Sequence, residues 1–114
     1  MKKQITLYEK DLPNISIHIN ANINKDGGLQ IEGIDTGENV EKIWGDWDYE
    51  YYINTDKENK NKLIKQLKNK GFKVSNDMEL LRYLKQHYAV NEAYTEIKSL
   101  LTKENIEFKI FTWA

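Results

Sequence analysis

The residue types that could carry catalysis are few and scattered along this chain. Ser16, Ser75 and Ser99 are its only serines. None stands in the glycine-flanked elbow that lifts a nucleophilic hydroxyl out of a strand-to-helix turn. His18 falls on the polar side of an alternating segment and His87 late in a helical one. A histidine base would therefore need tertiary structure to bring it to an orienting carboxylate. Cysteine is absent, which excludes disulfides, thiolate zinc sites and thiol nucleophiles together. Gly27-Gly28 and the Gly33 to Gly37 stretch do not run into a helix with a trailing lysine, as a phosphate cradle requires; turns explain them. The expectation is a non-enzymatic protein with no catalytic residue, no metal and no cofactor.

Charge is more informative than nucleophiles. From Glu32 to Glu50 there are seven acids against the single Lys42, and from Lys57 to Lys73 seven lysines against the single Glu58. Three readings compete. The two segments can neutralise one another within the fold, which is the simplest. The acidic one can receive a basic protein partner, with charge steering the encounter. Least supported is a nucleic-acid-associated module built on the lysine segment, because no aromatics interleave the lysines for base stacking and Arg82 is the only arginine. A further alternative is a small metal-dependent enzyme holding Mg²⁺ or Ca²⁺ at Asp46, Asp48 and Glu50, although no twelve-residue calcium loop is present. Trp44, Trp47, Tyr49, Tyr51 and Tyr52 crowd the same acidic stretch. Aromatic area beside carboxylates suits an interface, so Glu41, Asp46, Asp48, Glu50 and Tyr52 are the expected partner-binding residues, with Trp47, Tyr49 and Tyr51 turned inward.

The elements that must position these residues follow from periodicity. Gln4 to Tyr8 alternates and predicts a short strand; Asp11 to Asn14 holds the only proline and predicts a turn. Ile15, Ile17, Ile19 and Ala21 alternate with polar residues, the signature of a half-buried strand. Asn24 to Gly28 reads as a hairpin turn, with Leu29, Ile31 and Gly33 on the return strand. Val40, Ile43 and Trp44 have the spacing of a short helix, and Trp47 to Ile53 alternates as a strand. Then the period changes. Thr55 or Asp56 caps a helix with Leu63, Ile64 and Leu67 on its apolar face, closing at Gly71. Asn76 and Glu79 form a capping arrangement before Leu80, Leu81, Leu84 and Tyr88, and Asn91 caps a third helix. Ile106 to Trp113 alternates again as a last strand. Strands grouped ahead of helices predict an α+β fold, an antiparallel sheet of four to five strands with helices on one face.

The 114 residues carry 17 basic and 18 acidic side chains and a net charge of −1, so bulk charge calls for neither nucleic acid nor membrane. This length fits one domain, 1–114. No apolar run approaches the ~18 residues of a membrane span. The stretch from Ile5 to Tyr8 is too short for a signal-peptide core, so the expected location is the cytoplasm.

The run from Ile31-Glu32-Gly33-Ile34-Asp35-Thr36-Gly37 through Val40-Glu41, Trp44-Gly45 and Tyr49-Glu50-Tyr51 resembles the signature I-E-G-x-D-x-G-x-x-V-E-x-x-W-G-x-x-x-Y-E-Y of a family of small bacterial proteins, similar to the immunity proteins that accompany bacterial toxins. The motif covers about a fifth of the chain, and the order of elements extends the likeness over most of it. The resemblance implies a small protein that neutralises a basic, toxin-like partner by direct binding, and it brings no catalytic residue. The motif's glycines are expected to serve tight turns, and its Trp and Tyr residues packing.

Overall fold

The structure, a computed structural model, describes residues 3–37 and 48–113. The expected short helix at Val40 to Trp44, and with it Glu41, Asp46 and Trp47, lie outside the described residues. Elsewhere the chain forms strands β1 (Gln4–Leu12), β2 (Ile15–Ile23), β3 (Leu29–Thr36) and β4 (Asp48–Asn54). Three helices follow, α1 (Lys57–Asn69), α2 (Asp77–Tyr88) and α3 (Ala93–Lys103), and then strand β5 (Lys109–Trp113). The strands make one antiparallel sheet in the order β1-β2-β3-β4-β5, so the α+β reading holds.

The alternation of β2 explains the layering. Ile17, Ile19, Ala21 and Ile23 point to one face, where they meet Leu7, Leu29, Ile31 and Ile53 from neighbouring strands and Leu63, Leu67, Leu80, Leu81, Leu84, Ile97 and Leu101 from the helices. Most of these side chains are fully buried, and each such leucine or isoleucine contributes about 1.5–3 kcal/mol of transfer free energy. Among the described residues the other face of the sheet carries no helix, and over β1 to β3 it is polar apart from Ile34.

Helix ends follow local chemistry. Asp56 accepts the backbone N–H of Asn59 and caps α1. At the far end Gly71, at φ +96°, donates to Lys68 O while Phe72 donates to Leu67 O. This paired closure needs a left-handed residue, which glycine supplies without strain. Asn76 caps α2 through Glu79 N–H. Glu79 reaches back not to Asn76 but to the N–H and hydroxyl of Ser75, and these bonds hold its carboxyl below the usual range. Asn91 does not cap α3: the helix begins after Glu92 with no side-chain cap. The first strand also runs on to Leu12, past the expected end at Tyr8, because the chain pairs with β2 as far as Ile15 before Pro13 and Asn14 turn it.

Two lysines of the basic segment are held in ion pairs. Lys60 is 3% exposed and its ammonium lies 2.6 Å from Asp77 Oδ1, while Lys70 pairs with Glu104, itself buried. Lys62 donates to the carbonyl of Asn105 at 2.9 Å. Among the described residues, neutralisation of the lysine helix thus comes from Asp77 and Glu104, on α2 and just after α3, rather than from Glu32, Asp35, Asp48 or Glu50. Helix α1 packs against the segments that follow it, and that adjacency decides the pairing.

Candidate functional site

Register places the polar face of the sheet in rows. Thr6, Asn20, Glu32, Tyr52 and Phe111 stand side by side across all five strands, and Ile34, Glu50 and Trp113 form the next row across β3, β4 and β5. Gln30, Asn54 and Lys109 form the row on the other side. There the amides lock: Asn22 donates to Gln30 at 3.2 Å and Gln30 to Asn54 at 2.9 Å. A row of satisfied amides stiffens the floor of the site, because each group's partner is itself held.

At the β4–β5 end this face changes character. Tyr52, Phe111 and Trp113 form a continuous aromatic shelf, with ring centroids 5.9 Å apart for Tyr52–Phe111 and 5.4 Å for Phe111–Trp113. Phe111 is 47% and Trp113 61% exposed. Glu32 and Glu50 flank the shelf, and with Gln30, Asn54 and the three rings they line a shallow hollow of about 610 Å³. Glu50 accepts the Tyr52 hydroxyl at 2.6 Å. That bond, helped by burial and by the charges of Glu50 and Glu32, pushes the Tyr52 phenol up to about 12. Tyr52 therefore stays a protonated donor and holds Glu50 in one orientation. Carboxylates beside exposed ring faces suit a cationic side chain: the carboxylate pairs with the charge while the ring quadrupole attracts it from the side.

Of the expected partner-binding residues, Asp48, Glu50 and Tyr52 do share one face of β4, and Asp48 is exposed at its start; Glu41 and Asp46 lie outside the described residues. Tyr49 and Tyr51 turn to the helix side as expected. There Tyr51 donates to Asp35 Oδ1 at 2.8 Å and meets Tyr94 edge-on at 4.9 Å. Burial pushes both groups up, Tyr51 well above its usual range and Asp35 despite the bond from Tyr51. The Tyr51 ring lies flat against Gly33, where a Cβ would sit 1.9 Å from Tyr51 Cε2. This glycine of the motif serves ring packing within a strand, not the turn expected of it; of the motif's glycines among the described residues, Gly37, at φ +126°, has the turn geometry.

Phe111, Trp113 and Glu32 are the site members that sequence reasoning did not assemble. Alternation already separates Phe111 and Trp113 from Ile110 and Thr112. What was missing is that β5 returns beside β4, across three intervening helices. At the opposite end of the same face, β1 and β2 bring together Glu9, Asp11 and His18, with His18 Nδ1 3.6 Å from Glu9 and Nε2 3.4 Å from Asp11. This trio is exposed to solvent and offers a histidine held between two carboxylates, a grouping the sequence reading did not make. Two of the three serines are occupied locally: Ser75 donates to Glu79 and Ser99 to the Thr95 carbonyl. His87 packs against Tyr83 and Phe72.

The fold and face define an α+β protein with helices on one side of a meander sheet and an acidic, aromatic shelf on the other. No helix among the described residues is long and apolar enough to cross a membrane. No protein-family model, curated protein or solved structure matches the chain.

Proposed function

We propose that this is a non-enzymatic binding protein of the immunity type, acting in the cytoplasm, which neutralises a basic, toxin-like protein by covering it with the helix-free face of the sheet. The observation that carries the reading is the shelf of Tyr52, Phe111 and Trp113 with Glu32 and Glu50 beside it. Exposed tryptophan and tyrosine are the side chains that most often anchor interfaces. Carboxylates around them select a cationic partner and raise its encounter rate. A lysine or arginine of the partner would lie over the rings with its charge at Glu50 or Glu32, and Asp48 would extend the acidic rim toward the start of β4. Lys60, Lys62 and Lys70 are engaged within the chain, which weakens the competing reading of α1 as a nucleic-acid surface.

The test uses the purified protein as bait for basic proteins of its own cell, in three forms: wild type, Asp48→Lys with Glu50→Lys, and Trp113→Ala. None of these side chains is in the core, so all three forms are expected to fold. A basic protein held by the wild type, released as salt screens charges over a Debye length of ~8 Å, lost from both variants, and toxic unless co-expressed with the wild type supports the proposal. Equal retention by all three forms, or retention of RNA in place of protein, sinks it.

A further inference from the structure

The two edges of the sheet are built differently. Edge strands present unpaired N–H and C=O groups, and proteins blunt them with charges, bulges or proline. The β1 edge has these devices: Glu9, Lys10 and Asp11 in succession, a register shift between Thr6 and Tyr8, and Pro13 just beyond its end. The β5 edge has none of them. Its five residues Lys-Ile-Phe-Thr-Trp are all exposed, its pairing with β4 is unbroken, and its one charge sits at the start. The helical layer stops short of it, leaving Ile110 47% exposed on the face opposite Phe111 and Trp113. Among the described residues no strand pairs with the outer edge of β5, and apolar groups on both faces with that open backbone between them make a strand prepared for one more neighbour.

We infer that the neighbour is β5 of a second copy, paired antiparallel about a two-fold axis at Phe111. Charge argues against registers that oppose like charges. A parallel in-register pairing would set Lys109 against the second copy's Lys109, and an antiparallel pairing centred on Lys109 would do the same. Centred on Phe111, Lys109 instead faces the second copy's Trp113, a cation over an indole, and Ile110 faces Thr112 on the helix side. Ladder geometry then carries two rows through the axis. One reads Tyr52, Phe111, Phe111, Tyr52 across the two chains. The other sets Glu50 and the second copy's Lys109 on either side of Trp113, so that the acid and the base flank the same ring. The strand is self-complementary in shape and charge, which is what an isologous contact requires. It joins two five-stranded sheets into one and shares Trp113 with the proposed partner surface, so the two are told apart through Ile110 and Thr112 on the helix side.

A contact of five residues a side is small, and a dimer in the micromolar range is expected. Sedimentation velocity of the wild-type chain from ~5 µM to ~500 µM should show a shift from monomer to dimer mass. Ile110→Glu with Thr112→Glu places carboxylates directly opposite one another on the helix side and should weaken the dimer at least tenfold, about 1.4 kcal/mol, without touching the aromatic shelf. Because the chain has no cysteine, Ile110→Cys with Thr112→Cys gives an independent readout. Directly paired antiparallel residues are within disulfide reach, and mild oxidation should yield a covalent dimer, whereas Glu9→Cys on the protected edge should not. A wild-type chain that stays monomeric throughout, a dimer indifferent to the opposed carboxylates, or equal cross-linking from β1 overturns the inference. So does a monomer whose β5 captures a strand of another protein. In each of those cases the partner reading, tested on Asp48, Glu50 and Trp113, stands or falls separately.

Discussion

Replacing Gly33 by alanine should destabilise the protein through one contact only. Gly33 does not have positive φ, so backbone strain is not involved. The added methyl would lie 1.9 Å from Tyr51 Cε2 and 2.2 Å from Cζ, against an ordinary carbon–carbon separation of about 3.5–4.0 Å. The ring must therefore swing away by about 1.5–2 Å. That movement breaks its 2.8 Å bond to Asp35 and its 4.9 Å edge contact with Tyr94. Losing the aromatic pair costs about 0.5–1.5 kcal/mol. Leaving the half-buried Asp35 carboxylate without its donor costs about 1–3 kcal/mol. The reduced entropy of the unfolded chain returns about 0.4–1 kcal/mol. A net loss of about 0.5–4 kcal/mol is expected, read as a fall in the urea midpoint at unchanged slope. The control is a double-mutant cycle with Tyr51→Ala. Once the ring is gone its clash with the methyl is gone, and Gly33→Ala should become close to neutral. If the substitution cost under about 0.5 kcal/mol in the wild type, or the same in both backgrounds, the ring over Gly33 would not be what constrains this position.

Two further outcomes follow from burial and charge. Leu67→Ala, at a fully buried position of α1, should cost about 2–5 kcal/mol in urea unfolding, whereas Lys65→Gln on the exposed side of the same helix should stay within about 0.5 kcal/mol. Asp77 tests the ion pair: burial raises its carboxyl, but hydrogen bonds and charge from Lys60 and Lys3 outweigh this and hold it below the usual 3.8. A depressed folded pKa contributes stability that is present above the unfolded value and lost as pH falls through the folded one. Asp77→Asn should therefore be less stable than wild type at neutral pH, with the gap narrowing as pH drops through and below 3.8 in pH-dependent urea melts. A gap constant down to pH ~2 would show that the charge on Asp77 contributes nothing.

Local chemistry was readable along the chain and distant pairing was not. The isoleucines of β2, the Asp56 cap and the Gly71 closure depend on neighbours a few residues away, and each appears where spacing predicts it. Asn91 failed as a cap because an N-cap is defined by backbone geometry, and the helix starts one residue later than composition suggests. Lys60 carried a signal that was passed over: it stands three residues before Leu63 and seven before Leu67, on the same helical face, so its stem had to enter the core and its charge had to find Asp77. The shelf was half legible. Alternation put Asp48, Glu50 and Tyr52 on one face of β4, but no local pattern says which strand lies beside it. Phe111 and Trp113 join the site only through a pairing that spans three helices.

That same separation orders the assembly of the molecule in time. Strands β1 to β3 are joined by short turns, and β4 is the next described element, so the meander can form from contacts nearby in sequence. Pairing Asn54 with Lys109 closes a loop that holds α1, α2 and α3, and closing so long a loop slows the step. Until then β4 is the open edge, with Tyr52 and Glu50 already presented on it. The last strand to dock is also bare on both faces, so it should be the first to open again, exchanging its amide protons through local fraying while the core strands exchange only on global unfolding.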